Sequence, residues 1–158
     1  YNEAWEKNWG FVPLTEDEFN HTAKDLKQIV VPELLIMAFA DTDIEKDRPI
    51  AFSMFLPDAN RAIRKANGRL LPFGIFKMLM EFPKIDYGRV PTLGFVPGYR
   101  TSGLDALMYY ETFQRATARG FKAAELSWIL ETNGPMNMGL AKMGARVIKR
   151  YRMFEKKI

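Results

Sequence analysis

Between Phe95 and Leu107 the chain reads FVPGYRTSGLDAL: one apolar run ends, Pro97, Gly98 and Gly103 intervene, and a different apolar pattern begins. After the join, Leu104, Leu107, Met108 and Glu111 fall at helical spacing, and Tyr110 and Phe113 widen the apolar side. Arg119 and Gly120 then supply a last-turn cation and a stop, which gives a helix of about four turns. The next apolar segment, KAAELSWIL, is a compact strand. A strand that passes through glycines into a helix and returns as a strand demands a sheet with a helix against its face, so all-helical and all-strand folds are set aside.

The rest of the chain fits around this unit. Thr15, with Glu18 three residues later, predicts a capping box opening a helix that runs through about Lys27. ELLIMAFAD and RPIAFSMFL read as strands, and the short charged linker TDIEKD makes them an antiparallel hairpin. PDANRAIRKANG and LLPFGIFKMLMEF form a polar-to-apolar helical insertion ended by Pro83. The extended stretch GRVPTLGFVP follows, where Pro91 predicts irregular or edge pairing. NGPMNMGLAKMG is a short helix closed by Gly144, and ARVIKRYRMFEK a final strand with a basic face. Hairpin and crossover connections together predict one α/β (α+β) domain over residues 1–158, a mixed sheet with helices on its faces.

Composition narrows the chemistry. There is no cysteine and a single histidine, His21, read as a surface residue, so thiolate metal sites, a cysteine nucleophile and a histidine cluster are excluded and no metal is expected. The apolar runs fall short of the ~20 residues of a membrane span and the opening residues are no basic leader, so a cytoplasmic protein with no membrane partner is expected. The formal charge of +4 suits nucleic acid and a polyanionic cofactor equally. The basic residues from Lys142 to Lys157 read as a solvated strand and tail without a nucleic-acid motif, and Trp128 reads as core.

The Phe95–Leu107 join itself has two readings. Gly98 and Gly103 allow close approach to the backbone, Arg100 is cationic, and the amides from Arg100 to Leu104 belong to the open first turn of a helix, which together suit a pyrophosphate. Glycine-rich strand-to-helix turns are also common without any ligand, and spacing alone leaves both readings standing.

VPGYRTSGLDALMY resembles the acetyl-coenzyme A signature of the GNAT superfamily of N-acetyltransferases, a Gln/Arg-x-x-Gly-x-Gly/Ala loop between a strand and a long helix, with Arg100 and Gly103 at its first two positions. NGPMNMGLAKMGA resembles that family's later segment, with Asn133, Lys142 and Gly144 in place. The resemblance implies a GNAT-like, mostly antiparallel twisted sheet with a splay between central strands. It implies acetyl-CoA (or another acyl-CoA) as donor, with pantetheine along Leu93, Phe95 and Val96, pyrophosphate over Arg100, Thr101, Ser102, Gly103 and Leu104, and Asn133 also on the cofactor. The implied activity is acyl transfer to a primary amine of a small molecule, amino acid or peptide, in a chain that could form a homodimer. Trp5, Trp9 and Phe11 fall where the family binds its acceptor, and equally serve as core caps or an interface.

Three departures temper what the resemblance implies. Asp105 replaces the loop's last Gly/Ala; were Ser102 the N-cap, the two would form a capping box and take amides from a pyrophosphate. Leu140 stands where the family's frequent general acid, a tyrosine, would be, so the acid is unassigned; Tyr151 and Tyr99 are candidate substitutes, against the plain reading of core or cleft-wall packing for each. Glu131 is the candidate base and Glu125 a weaker one, against the plain reading of solvated strand-end carboxylates. No segment before Glu33 reads as the family's first strand, so a truncated fold is expected. The alternative function is a GNAT-fold module that binds a ligand or partner without chemistry.

Overall fold

The expected hairpin forms between β1 (Leu35–Phe39) and β2 (Pro49–Pro57), antiparallel with Leu35 opposite Met54 and Ala38 opposite Ala51. It sits in a computed structural model that describes residues 1–8, 10–27, 29–99 and 103–156. Two compact units are present, residues 1–128 and 129–158.

In the first unit β2 pairs antiparallel with β3 (Tyr87–Phe95), and β3 pairs in parallel with β4 (Ala123–Leu126), giving the order β1-β2-β3-β4. The mixed sheet is thus the one the hairpin and crossover connections require. Two helices precede it: α1 (Asn2–Trp5) and α2 (Glu16–Leu26). The capping box that opens α2 is complete, since the Glu18 amide donates to Thr15 Oγ1 at 3.3 Å and the Thr15 amide to Glu18 Oε2 at 2.8 Å. Between β2 and β3 the predicted insertion folds as α3 (Asn60–Ala66) and α4 (Gly74–Glu81), and Pro83 lies in the 3-10 turn that ends it.

The crossover helix α5 (Leu104–Ala118) follows β3 and stops at Gly120, whose φ of +88° suits a residue without a Cβ. It covers one face of the sheet. Met108, Tyr109, Thr112 and Ala116 are its buried residues, against a sheet that buries Ile36, Ala51, Phe55, Leu93 and Phe95. One polar contact lies inside this layer: the Ser53 and Thr112 hydroxyls are 2.9 Å apart, and Thr112 also donates to the Met108 carbonyl at 2.7 Å. Both residues are buried, and each hydroxyl is satisfied by the other. On the opposite face lies α1, with Trp5 over β3.

The second unit holds α6 (Gly134–Lys142), capped by the Asn133 side chain, which accepts from the Met136 amide at 3.4 Å. The expected final strand is not present: described residues 145–156 pair with no strand and are exposed, because a strand exists only where a neighbour completes its ladder. Trp128, expected in the core, is 73% exposed, since β4 ends at Leu126 and leaves it no sheet to pack on.

Two outcomes follow for stability. Ser53→Ala strips Thr112 of one partner and should cost about 1 kcal/mol in a denaturant melt. Glu18 is held below the usual carboxylate range by the Thr15 amide, Glu33 by a backbone amide and then Arg119, and Asp86 by the Lys122 ammonium. Depressed carboxyls stabilise fully above their unfolded values and lose that contribution as pH falls through the folded ones, so Tm should drop below about pH 4. Thr15→Ala should make that drop shallower in a pH series of thermal melts.

Candidate functional site

The site begins with where two strands part. β3 and β4 pair from Tyr87 opposite Ala123 to Val90 opposite Leu126 and no further, although β3 continues to Phe95. Pro91 comes next on β3, and with no amide hydrogen it cannot extend the ladder. The β2–β3 register shifts at the same place, between Met54 opposite Thr92 and Leu56 opposite Arg89, so β3 carries an extra residue there. The irregular pairing read from Pro91 is therefore both a bulge toward β2 and a fork away from β4.

Beyond the fork, alternation sets which groups face where. The Val96 amide donates to the Ile50 carbonyl at 2.8 Å, so residues 94 and 92 also turn their backbone polar groups to β2, and Leu93 and Phe95 turn theirs to the side that β4 has left. The Thr92 hydroxyl is buried and has no hydrogen-bond partner among the described residues. At the fork itself Arg89 Nη2 donates to Ser127 Oγ at 2.8 Å and lies 3.6 Å from Glu125 Oε1. Arg89 was missed in the sequence because only the β3–β4 register reveals that it faces Glu125. Glu125, the weaker base candidate, is thereby an ion-pair partner.

An aromatic cluster lies on the face that α5 does not cover. Trp5 stacks on Tyr1 with centroids 4.7 Å apart and tilts against Phe52 at 5.4 Å, while Phe11 and Phe19 lie 6.0 and 6.4 Å from the Tyr1 ring. Gly94 admits this packing, because a Cβ there would come within 2.2 Å of the Trp5 indole. Of the residues expected at the acceptor side, Trp5 lies next to β3 and Phe11 meets the same Tyr1 ring as Trp5; Trp9 lies outside the described residues.

The strand then hands over to α5. Gly98 and Gly103 have φ of +94° and +79°, the left-handed region glycine enters without strain. Arg100, Thr101 and Ser102 lie outside the described residues. The helix N-cap is Gly103, one position later than the capping-box reading assumed, and the first bond within α5 runs from the Leu107 amide to the Gly103 carbonyl at 3.1 Å. The amides of Leu104 to Ala106 therefore form the open first turn. Asp105 Oδ1 accepts from the adjacent Ala106 amide at 2.9 Å. Tyr99, a substitute for the missing acid, donates its hydroxyl to Glu45, which also pairs with Arg48; Arg48 in turn reaches Glu3 at 2.6 Å. The Glu45 hydrogen bond and the Glu3 charge raise the Arg48 pKa. Tyr99 thus ties the loop after β3 to the β1–β2 linker.

The remaining candidates belong to the second unit. Glu131 Oε2 accepts from Arg152 Nη1 at 3.0 Å, and Arg150 lies 4.0 Å away, so its carboxylate is a cation partner. Tyr151 is 72% exposed, and Asn133 caps α6.

The fold as a whole matches solved acetyltransferases. The structure of AAC(6')-Iy in complex with the bisubstrate analogue CoA-S-monomethyl-acetylneamine superposes with a TM-score of 0.55, covering 98% of this chain and 88% of that one at 13% identity. Other acetyltransferases superpose comparably. This chain has the GNAT acetyltransferase fold. No protein-family profile matches it. Among curated relatives, Protein YghO of Escherichia coli is 40% identical over the whole of this chain. Bacterial ceramide synthase of Caulobacter vibrioides is 35% identical over 98% of it. The chain spans 41% of the length of each relative.

Within the GNAT fold, Gly94 links the aromatic face to the strand edge. Gly94→Val should displace Trp5 and cost about 1–3 kcal/mol. In a background with Trp9 and Trp128 replaced by Phe, the remaining tryptophan emission should shift to longer wavelength.

Proposed function

We propose that the chain forms the acyl-thioester site of an N-acyltransferase that takes an acyl group from an acyl-CoA and transfers it to a primary amine. The observation that carries this reading is the fork: beyond Val90 the β3 edge turns Leu93 backbone groups away from β2 and leads directly into the open first turn of α5. An extended donor with amides near its thioester and a pyrophosphate at its far end matches that sequence of groups. Leu93 would hold the pantetheine, Phe95 and Val96 would flank it, and the α5 amides of Leu104 and Asp105 would meet the pyrophosphate. Arg100, Thr101 and Ser102 enter on sequence grounds alone.

In the reaction the neutral amine attacks the thioester carbonyl, the C–N bond forms, the C–S bond breaks, and CoA leaves as the thiolate and takes up the proton shed by the nitrogen. The donor is already activated, so holding amine and thioester in contact supplies much of the rate. Glu131 and Glu125 are each engaged by arginine, which favours this positioning role over a dedicated base within the chain. The remaining length of the relatives could supply a proton-transfer group in the whole protein.

The acceptor is read from the aromatic face and from one relative. Ceramide is the amide of a fatty acid and a long-chain amine, and a ceramide synthase is 35% identical to this chain. The rings of Tyr1, Trp5, Phe11, Phe19 and Phe52 beside β3 suit an apolar chain rather than a polycationic sugar. We assign a long-chain primary amine as acceptor and a fatty acyl-CoA as donor. The Leu140 and Glu131 findings favour one second reading, a module that binds the thioester without turning it over.

Calorimetric titration with acetyl-CoA, palmitoyl-CoA and free CoA tests the site. Saturable binding is expected, weakened about 10- to 100-fold by Arg100→Glu, which removes a charge-assisted contact and adds repulsion. No heat and no thermal stabilisation at about millimolar ligand would overturn the reading, since binding to the folded state alone must raise Tm. Thiol release from the bound thioester on adding sphinganine, but not an aminoglycoside, is the expected turnover; binding without release from any amine would establish the module.

A further inference from the structure

The α3–α4 insertion is folded with its apolar side outward. Along α4, at about 100° per residue, Ile75, Leu79, Phe76 and Met80 occupy one continuous arc of roughly 140°. All four are exposed, Phe76 at 61% and Met80 at 64%, and Phe73 and Leu71 before the helix extend the patch at 69% and 79%. The opposite arc carries Gly74, which is buried and so close to α3 that an added Cβ would sit 1.7 Å from the Arg69 carbonyl oxygen and 3.4 Å from the Ala66 Cβ. Ala62 and Ala66 are the buried residues of α3. Small side chains thus close the helix pair, and the large apolar ones are left facing out.

Cations flank this patch. Arg64, Lys65, Arg69 and Lys77 are exposed and have no acidic partner among the described residues. An open cleft beside α4 is lined by Arg61, Arg64, Lys65, Lys84, Glu81 and Ile85, five charged side chains of which one is acidic. Glu81 pairs there with Lys84 at 3.7 Å, and Arg61 with Asp86 at 2.9 Å.

We propose that the α3–α4 insertion docks this protein on an anionic lipid surface, with Phe73, Phe76, Leu79 and Met80 entering the headgroup–acyl boundary and the cations meeting lipid phosphates. Charge decides between occupants. A second copy packed by a two-fold axis would bring the same cations against themselves, whereas an anionic membrane complements them all. The side chains agree: α4 exposes Phe, Leu, Ile and Met, which enter a fluid boundary without needing a matched groove. This is a surface association, distinct from a span; no helix among the described residues is long and apolar enough to cross a membrane. The insertion joins β2 and β3 at the end of β3 opposite the loop that leads into α5. The docking does not depend on the acyl-transfer reading.

Flotation of the purified protein with vesicles tests the proposal. Binding is expected to phosphatidylcholine–phosphatidylglycerol vesicles at about 3:1, and little to pure phosphatidylcholine. Raising salt to about 0.5 M should release most of the protein. Phe73→Ser with Phe76→Ser, and separately Arg64→Glu with Lys65→Glu, should each reduce vesicle partitioning by about tenfold. Both pairs are exposed, so Tm and acyl-CoA titration should match the wild type, and a variant that fails this folding check is replaced in the comparison by the other. Absence of wild-type binding at low salt, or binding that neither folded variant weakens, would overturn the proposal. So would light scattering that shows Phe73→Ser with Phe76→Ser turning a dimer into a monomer without any wild-type vesicle binding, which would give the patch to a second copy. Because the acyl-CoA titration is read independently, loss of vesicle binding with intact ligand binding removes this inference alone.

Discussion

Pro91 has no amide hydrogen, and the arrangement of the cleft depends on that missing donor. A parallel ladder needs evenly spaced donors from both strands. On β3 the ladder to β4 reaches Val90 and ends, while the same residues shift register against β2. Had β3 and β4 remained zipped to Phe95, the Leu93 backbone groups would be spent within the sheet and the aromatic face would border a closed surface. The fork leaves the Leu93 backbone groups on an edge that β4 does not pair, and Arg89, held between Glu125 and Ser127, lies at its vertex.

Two sets of contacts keep the opened edge in place. From one face, α5 is seated by apolar burial and by the Ser53–Thr112 pair, which sets the height of the helix over β2. At the mouth, the Tyr99 hydroxyl, Glu45, Arg48 and Glu3 run from the loop after β3 through the β1–β2 linker to α1. Such exposed ion pairs add little stability individually. Their effect here is positional, since they connect three segments that would otherwise move independently.

Much of the scaffold was legible because it is written in local patterns. The Thr15–Glu18 box, the spacing from Leu104 to Glu111, the hairpin runs and the Gly120 stop each specify geometry within a few residues, and the structure repeats them. The fork was half legible: Pro91 announced irregular pairing, but the side on which it would occur depends on register. What could not be read were features set by distant partners. Arg89 faces Glu125 only through the parallel ladder, Tyr99 finds Glu45 across the linker, and Glu131 is claimed by Arg152 rather than left open. The segment from Ala145 onward alternates as a strand should, yet alternation supplies no neighbour. The outward direction of the α4 apolar arc is not legible in the sequence, because periodicity reveals a face without saying which way it points.

Pro57 and Gly88 are opposite one another at the base of the β2–β3 ladder, and the Asp58 amide donates to the Tyr87 carbonyl at 2.9 Å just outside it. The insertion therefore leaves and re-enters the sheet at adjoining points, as the tip of a hairpin does. Its removal would call for no more than a tight turn across that gap, and its lengthening would disturb no strand. The scaffold can accordingly exchange this appendage as a replaceable part without altering the register of the strands it joins.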